Sequence, residues 1–221
     1  LEERHDFEIA PASIEGQEVI VTGARQRFEK EIEVSAVNLT MRDVKLMPAF
    51  VEADIFRTLQ LLPGVQSSSD FSSALVVRGG SPDENLIMLD GIEIYNPFHL
   101  GGVFSTFNAD AIADAEFLAG GFPAKYGNRI SSVLSITGRE GNSKNRKLFG
   151  DKPIGKFIDL SEVHGEVNLL SSKILGEGPL YKGSWMLSGR RTYFDQMARI
   201  YYWAKDDPMK WKYYFYDVQG K

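Results

Sequence analysis

Three histidines, His5, His99 and His164, are the side chains best suited to metal or proton chemistry in this 221-residue chain, and their spacing serves neither. No two of them share a helical turn, so no pair of imidazoles is set up as in an H-E-x-x-H zinc site. Cysteine is absent, which removes a thiolate nucleophile, a disulfide framework and any Cys-based zinc or iron–sulfur centre. Asp90 and Glu93 form a possible carboxylate pair, and Asp83, Glu84 and Asp90 invite a calcium site. Asp90-Gly91, however, is what a tight hairpin turn wants for backbone reasons alone, and no EF-hand loop is present. The G-x-S-x-G elbow, the Walker A loop and G-x-G-x-x-G are all missing; Gly79-Gly80 and Gly101-Gly102 lead into no Lys-Ser/Thr pair. These residues predict neither an enzyme nor a cofactor.

Composition divides the chain. Apolar residues make up 43% and charged residues 25%, a globular balance, and the net charge of −5 argues against a nucleic-acid partner. Residues 1–140 hold 11 Lys/Arg against 21 Asp/Glu, whereas residues 141–221 hold 14 against 9. Twelve of the 26 aromatic residues fall in the last 41 positions, with all three Trp among them. The boundary lies near Gly138–Gly150. No apolar run reaches 18 residues, so no transmembrane helix is expected. The acidic opening is not a signal peptide. Leu1 is not a natural start, and the chain reads as a piece of a longer protein.

The acidic part mixes short strands with small helices. Glu18–Gly23 is a β-prone run, readable as an edge strand, and 35–40 has some β character. Leu46–Phe50 reads as a turn around Pro48. Ile55, Leu59 and Leu62 share a helical face over 54–62, which Pro63-Gly64 ends. Strands are expected at 74–78, 86–89 and 131–137, with Asp90-Gly91 reversing the chain into Ile92–Tyr95. Residues 108–117 are helical in composition, with Ala111, Ala115 and Leu118 near Ile112. The expected fold is α+β.

The basic part behaves differently. Residues 157–173 suit one long strand, with Val163, Gly165, Val167 and Leu169 alternating with His164, Glu166 and Asn168. Gly176–Pro179 reads as a turn and 183–193 as the return strand. Residues 193–204 are aromatic, helical or extended, and 212–217 are extended again. Long strands with polar-in, apolar-out alternation and aromatic clusters suit a membrane barrel wall; periodicity alone suits a soluble β-sandwich hairpin equally well.

Several stretches carry a resemblance. Leu61-Leu62-Pro63-Gly64-Val65, Val77-Arg78-Gly79-Gly80, Leu89-Asp90-Gly91-Ile92, residues 113–127 ending in Tyr126-Gly127, and Val133–Thr137 together resemble the plug domain of the TonB-dependent outer-membrane receptors. The likeness is greatest to the large receptors of Bacteroidetes-like bacteria. The signature residues are Pro63, Gly64, Arg78, Gly79, Gly80, Asp90, Gly91, Gly120, Gly121, Tyr126 and Gly127. Gly189–Asp195 and Tyr214–Asp217 resemble stretches of the barrel that follows.

The resemblance implies a short mixed sheet with small helices, lodged in the lumen of a 22-stranded transmembrane β-barrel of which this truncated chain holds about three strands. It implies a bacterial outer-membrane location and an extended segment at 1–34. Residues 35–140 would then be the plug, 141–154 a linker and 155–221 the start of the barrel. Glu18, Val19, Ile20, Val21, Thr22 and Gly23 resemble the TonB box, which a periplasmic energy-coupling protein would bind by strand addition. Other implied partners are the chain's own downstream barrel, an outer-surface lipoprotein, and a substrate such as an iron chelate, oligosaccharide or peptide. Arg78 and Arg129 on the plug, with Glu166, Arg190 and Arg191 on the wall, are either ion-pair candidates across the seam or solvated surface charges. Tyr95, Phe98, His99, Phe104 and Phe107, on a Gly-rich loop, are substrate contacts, core or wall contacts. The competing reading is a non-transporting surface module that binds glycan or peptide.

Overall fold

The computed structural model describes residues 36–47, 52–69, 72–142, 160–205 and 213–221, all within one unit, Glu33–Lys221. Strand β1 (Ala36–Thr40) runs straight into helix α1 (Met41–Leu46). The helix was not expected, and its cause is local. Thr40 and Asp43 form a reciprocal capping box, the Thr40 amide donating to the Asp43 carboxylate at 3.0 Å and the Asp43 amide to the Thr40 hydroxyl at 3.3 Å, which satisfies two otherwise orphaned amides. Helix α2 (Ile55–Leu59) lies inside the span expected at 54–62 but is shorter, ending at Leu59 before Pro63-Gly64 is reached. Asp54 caps it, accepting from the amides of Phe56 at 2.7 Å and Arg57 at 3.3 Å.

A small hairpin of β2 (Val65–Ser67) and β3 (Leu75–Val77) follows. Next come β4 (Asn85–Leu89) and β5 (Ile92–Glu93), joined at Asp90 (φ 50°) and Gly91 (φ 81°). Two successive positive φ values make the turn that matches strand twist, and they explain the Asp-Gly pair. β6 (Phe98–His99) pairs with β7 (Phe104–Ser105). β8 (Ile112–Leu118) and β9 (Ser132–Gly138) complete a five-stranded sheet in the order β1-β8-β9-β4-β5. The pairing of β4 with β9 is parallel and the rest antiparallel.

Both faces of this sheet are covered. One carries Ile87, Phe117, Leu134 and Ile136 against Phe56 and Leu59 of α2; the other carries Leu86, Leu118 and Val133 against Phe122 and Tyr126. The expectation of a helix over 108–117 is corrected here: a short 3-10 turn (Ala109–Ala111) opens into β8. Ala, Asp and Glu favour a helix, but β8 lies between β1 and β9 and buries Ile112, Ala115 and Phe117. At about 1.5–3 kcal/mol for each large apolar side chain buried, that burial outweighs propensity differences of under about 1 kcal/mol per residue.

The basic part forms a separate antiparallel meander of β10 (Glu162–Val167), β11 (Ser171–Leu180), β12 (Gly183–Thr192) and β13 (Tyr216–Gly220). Helix α3 (Phe194–Ala204) lies between β12 and β13. The single strand expected over 157–173 is instead split. Asn168 accepts from the amides of Leu170 at 3.0 Å and Ser171 at 2.7 Å and reverses the chain. The turn expected at 176–179 lies inside β11, and the reversal comes at Tyr181, whose φ is 50°. Gly176 pairs with Leu187 and Val163 inside the sheet, beside Leu160 and the Trp185 ring.

Candidate functional site

The two sheets meet along a polar seam. Register pairing fixes which side chains of the four-stranded sheet share a face. Ser171, Lys173, Leu175 and Glu177 of β11, with Met186, Ser188, Arg190 and Thr192 of β12, are buried beneath the five-stranded part. Only Leu175 and Met186 among them are apolar, and they close on Ala111. The opposite face carries Val163, Val167, Ile174, Leu187 and Val218, all exposed. A water-soluble sheet puts its apolar side inward; this one has its apolar side bare and its charged side covered.

Charge at the seam is organised around Arg190, whose side chain is 1% exposed. Its guanidinium reaches Glu52, just before α2, at 2.5 Å. It also holds Asp217 of β13, through Nε at 2.8 Å and Nη2 at 2.5 Å, and donates to the Ser105 carbonyl. Glu52 further accepts from the Ser171 hydroxyl at 2.9 Å and faces the Lys173 ammonium at 3.2 Å. Asp217 lies 2.6 Å from His99 Nε2, and the His99 ring stacks on Phe215 with centroids 3.9 Å apart. Nearby, the amide of Leu100 donates to the Tyr213 hydroxyl at 3.0 Å. A second crossing is Arg139 to Glu177 at 2.8 Å. A third is Lys221 to Asp90 at 3.0 Å. Burial alone raises the Asp90 carboxyl, but the Lys221 hydrogen bond, the Gly138 amide and the Lys221 charge outweigh it and hold it below the usual carboxylate range.

The expected seam pairs come out unevenly. Arg190 does cross, although its partner Glu52 was not among those foreseen. Arg129 pairs with Glu93 on its own side at 2.5 Å. Glu166 faces Lys173 on the neighbouring strand at 3.9 Å, and Arg191 pairs with Asp195 of α3 at 3.3 Å. The Arg78 guanidinium lies beside Gly120, where a Cβ would come within 3.1 Å of it.

The aromatic loop is mostly spent on packing. Phe98 packs on Phe56 with centroids 4.9 Å apart, and Phe107 is buried beside the same ring. Phe104 is buried against Phe194 and Phe215, and His99 is held as described. Tyr95 alone of the five stands open, 92% exposed. The signature residues make turns: Pro63 and Gly64 follow α2, Arg78-Gly79-Gly80 follows β3, and Gly120-Gly121 (φ 89° and 68°) follows β8. Tyr126, followed by Gly127, packs on the second face of the sheet. The Glu18–Gly23 segment lies outside the described residues, as does most of the expected linker at 141–154. Among the described residues no three His, Cys, Asp or Glu side chains are grouped to hold a metal ion.

Among solved structures, the chain is similar to a mutant of the ferric enterobactin receptor PfeA of Pseudomonas aeruginosa in complex with enterobactin, at 20% identity and a TM-score of 0.49 over 72% of this chain and 25% of that one. It is similar to the siderophore receptor PirA of the same organism at 17% identity and a TM-score of 0.47, over 72% and 27%. For the copper transporter OprC the values are 13% and 0.46, over 71% and 23%. The chain thus spans about a quarter of the length of each. The model of the TonB-dependent Receptor Plug Domain matches residues 32–133, the stretch that holds β1 to β8 and the signature turns, so that this part of the chain is a plug domain of the TonB-dependent receptor kind.

Proposed function

We propose that the chain is the gating plug, with the first wall strands, of a bacterial outer-membrane receptor that takes up a scarce or bulky solute such as an iron chelate, oligosaccharide or peptide. The observation that carries this is the inverted polarity of the four-stranded sheet, with charged residues turned onto the plug and Val167, Ile174, Leu187 and Val218 bare on the other side. A transmembrane barrel needs that arrangement: a hydrated or paired lumen face and a lipid face of apolar residues. The complete wall, of 22 strands, would come from sequence beyond this chain, because open sheet edges are not stable in lipid. The motif order supports a receptor of the large Bacteroidetes-like kind, with an outer-surface lipoprotein as a further partner.

Work on the plug would come from a periplasmic energy-coupling protein pairing with Glu18–Gly23 as an added strand. Of the aromatic loop, Tyr95 is the residue left free to touch substrate. The test is deletion of Glu18–Gly23 in the intact receptor. Energised uptake should vanish while binding of substrate to cells persists; normal uptake would remove the box assignment.

A further inference from the structure

The seam holds more ionic partners than closure requires, and their placement is ordered. Among the described residues both buried cations sit on the wall: Lys173 on β11 and Arg190 on β12, with side chains 3% and 1% exposed. The plug offers them one carboxylate, Glu52. Each cation also has a carboxylate on the neighbouring wall strand: Glu166 on β10, 3.9 Å from Lys173, and Asp217 on β13, 2.5 Å from Arg190. The groups facing this cluster from the plug side are His99, on Asp217, and the Ser105 carbonyl, on Arg190.

We propose that Glu52 is a releasable latch, a plug-borne carboxylate gripped by two wall cations that each keep a wall carboxylate when the plug withdraws. The proposal rests on the gating reading above and adds to it which group lets go. Stripping one partner from a buried ion pair is costly because the other charge is left bare. Here withdrawal bares neither cation. Glu52 is the cations' carboxylate that leaves, with His99 parting from Asp217 at the same time, and it moves into a lumen that water can enter.

Position in the chain suits this role. Glu52 lies two residues before Asp54, whose carboxylate caps α2 and also accepts from the Ser105 amide. The Ser105 carbonyl is itself an acceptor for Arg190. A displacement of the chain at Glu52 therefore acts on both plug segments that Arg190 holds.

The test uses the intact receptor in planar lipid bilayers, reading the urea concentration at which plug withdrawal opens a conducting pore, together with the melting temperature of the barrel. Glu52→Gln should open at lower urea than wild type with an unchanged barrel melting temperature, and Glu52→Asp, which keeps the charge, should fall between. The pair Glu166→Gln/Asp217→Asn should lower the barrel melting temperature, because the wall cations lose their own partners. The latch is overturned if both Glu52 variants open at the wild-type urea concentration, or if Glu52→Gln lowers barrel melting as far as the wall pair does. Should wild type itself never conduct in urea, the gating reading falls and the latch with it, a result distinct from a conducting wild type with unshifted variants.

Discussion

Asp54 binds Ser105, 51 positions further along the chain, by accepting its amide at 3.2 Å with the carboxylate oxygen that does not cap α2. One side chain thereby closes a helix terminus and fixes the aromatic loop beneath the four-stranded sheet. Removing it exposes two costs: about 0.5–2 kcal/mol for a lost cap and about 1–3 kcal/mol for a buried amide left without an acceptor.

Asp54→Ala should therefore lower stability by about 2–4 kcal/mol. It should also raise hydrogen exchange at the Phe56, Arg57 and Ser105 amides together. Asp54→Asn keeps a capping oxygen, so Phe56 should recover its protection. Protection of Ser105 undiminished in Asp54→Ala would show that the loop is held by its aromatic packing instead.

What the sequence disclosed follows how local each cause is. The helix beginning near Asp54 and the Asp90-Gly91 reversal are settled by neighbours within four residues, and both were legible; the helix ends at Leu59, short of the stop expected at Pro63-Gly64. The strand at Ile112–Leu118 was not legible, because its neighbours β1 and β9 decide it and its own Ala, Asp and Glu residues point to a helix. Asn168 carried a turn signal that the long alternating pattern hid, whereas Gly176-Glu177-Gly178-Pro179 looks like a turn and is a strand held by pairing with distant segments. Glu52 gave no signal at all. A lone glutamate before a helix is ordinary, and its partners Ser171 and Arg190 lie 119 and 138 positions away.

Gly79 and Gly80 are adjacent but needed for different reasons. Gly79 has φ +83° with open space around it, so its constraint is backbone strain; Gly80 is crowded, with a Cβ falling 2.5 Å from Ser131 Oγ and 2.9 Å from Ser131 Cβ. Ser131 cannot easily give way, since its hydroxyl donates to the Val77 carbonyl at 2.9 Å. Gly79→Asn should be nearly neutral, because Asn tolerates the left-handed region. Gly80→Asn should lose about 1–3 kcal/mol through overpacking. Urea midpoints of the two variants check this, and equal losses would contradict the crowding at Gly80.

Ile174 separates a membrane wall from a soluble sheet. It is 60% exposed in mid-strand, so in water an arginine there should change stability by under about 0.5 kcal/mol, as at ordinary surface positions. On a lipid face the same change costs about 2–4 kcal/mol near the bilayer midplane. Ile174→Arg should reduce the folded fraction of the intact protein in lipid vesicles, read by its heat-sensitive mobility on a gel. Unchanged folding would place that face outside the hydrocarbon.

Asp90 makes one contact between the five-stranded and four-stranded sheets sensitive to acid. Its carboxyl is held below the usual value by Lys221 and the Gly138 amide against the opposing pull of burial. A carboxyl lowered in the folded state contributes stability that is complete above its unfolded value, about 3.9, and is lost as pH falls through the folded one. Lys221→Met removes the cation, so Asp90 should titrate at higher pH, read from its carboxyl carbon shift. The stabilities of wild type and Lys221→Met should differ at pH 7 and converge well below pH 3.9, where the carboxyl is protonated in both states. Both side chains are 34% exposed, so added salt should narrow the gap at pH 7 by screening. A gap of equal size at pH 2 and pH 7 would mean that Lys221 contributes through packing of its aliphatic stem and not through its charge on Asp90.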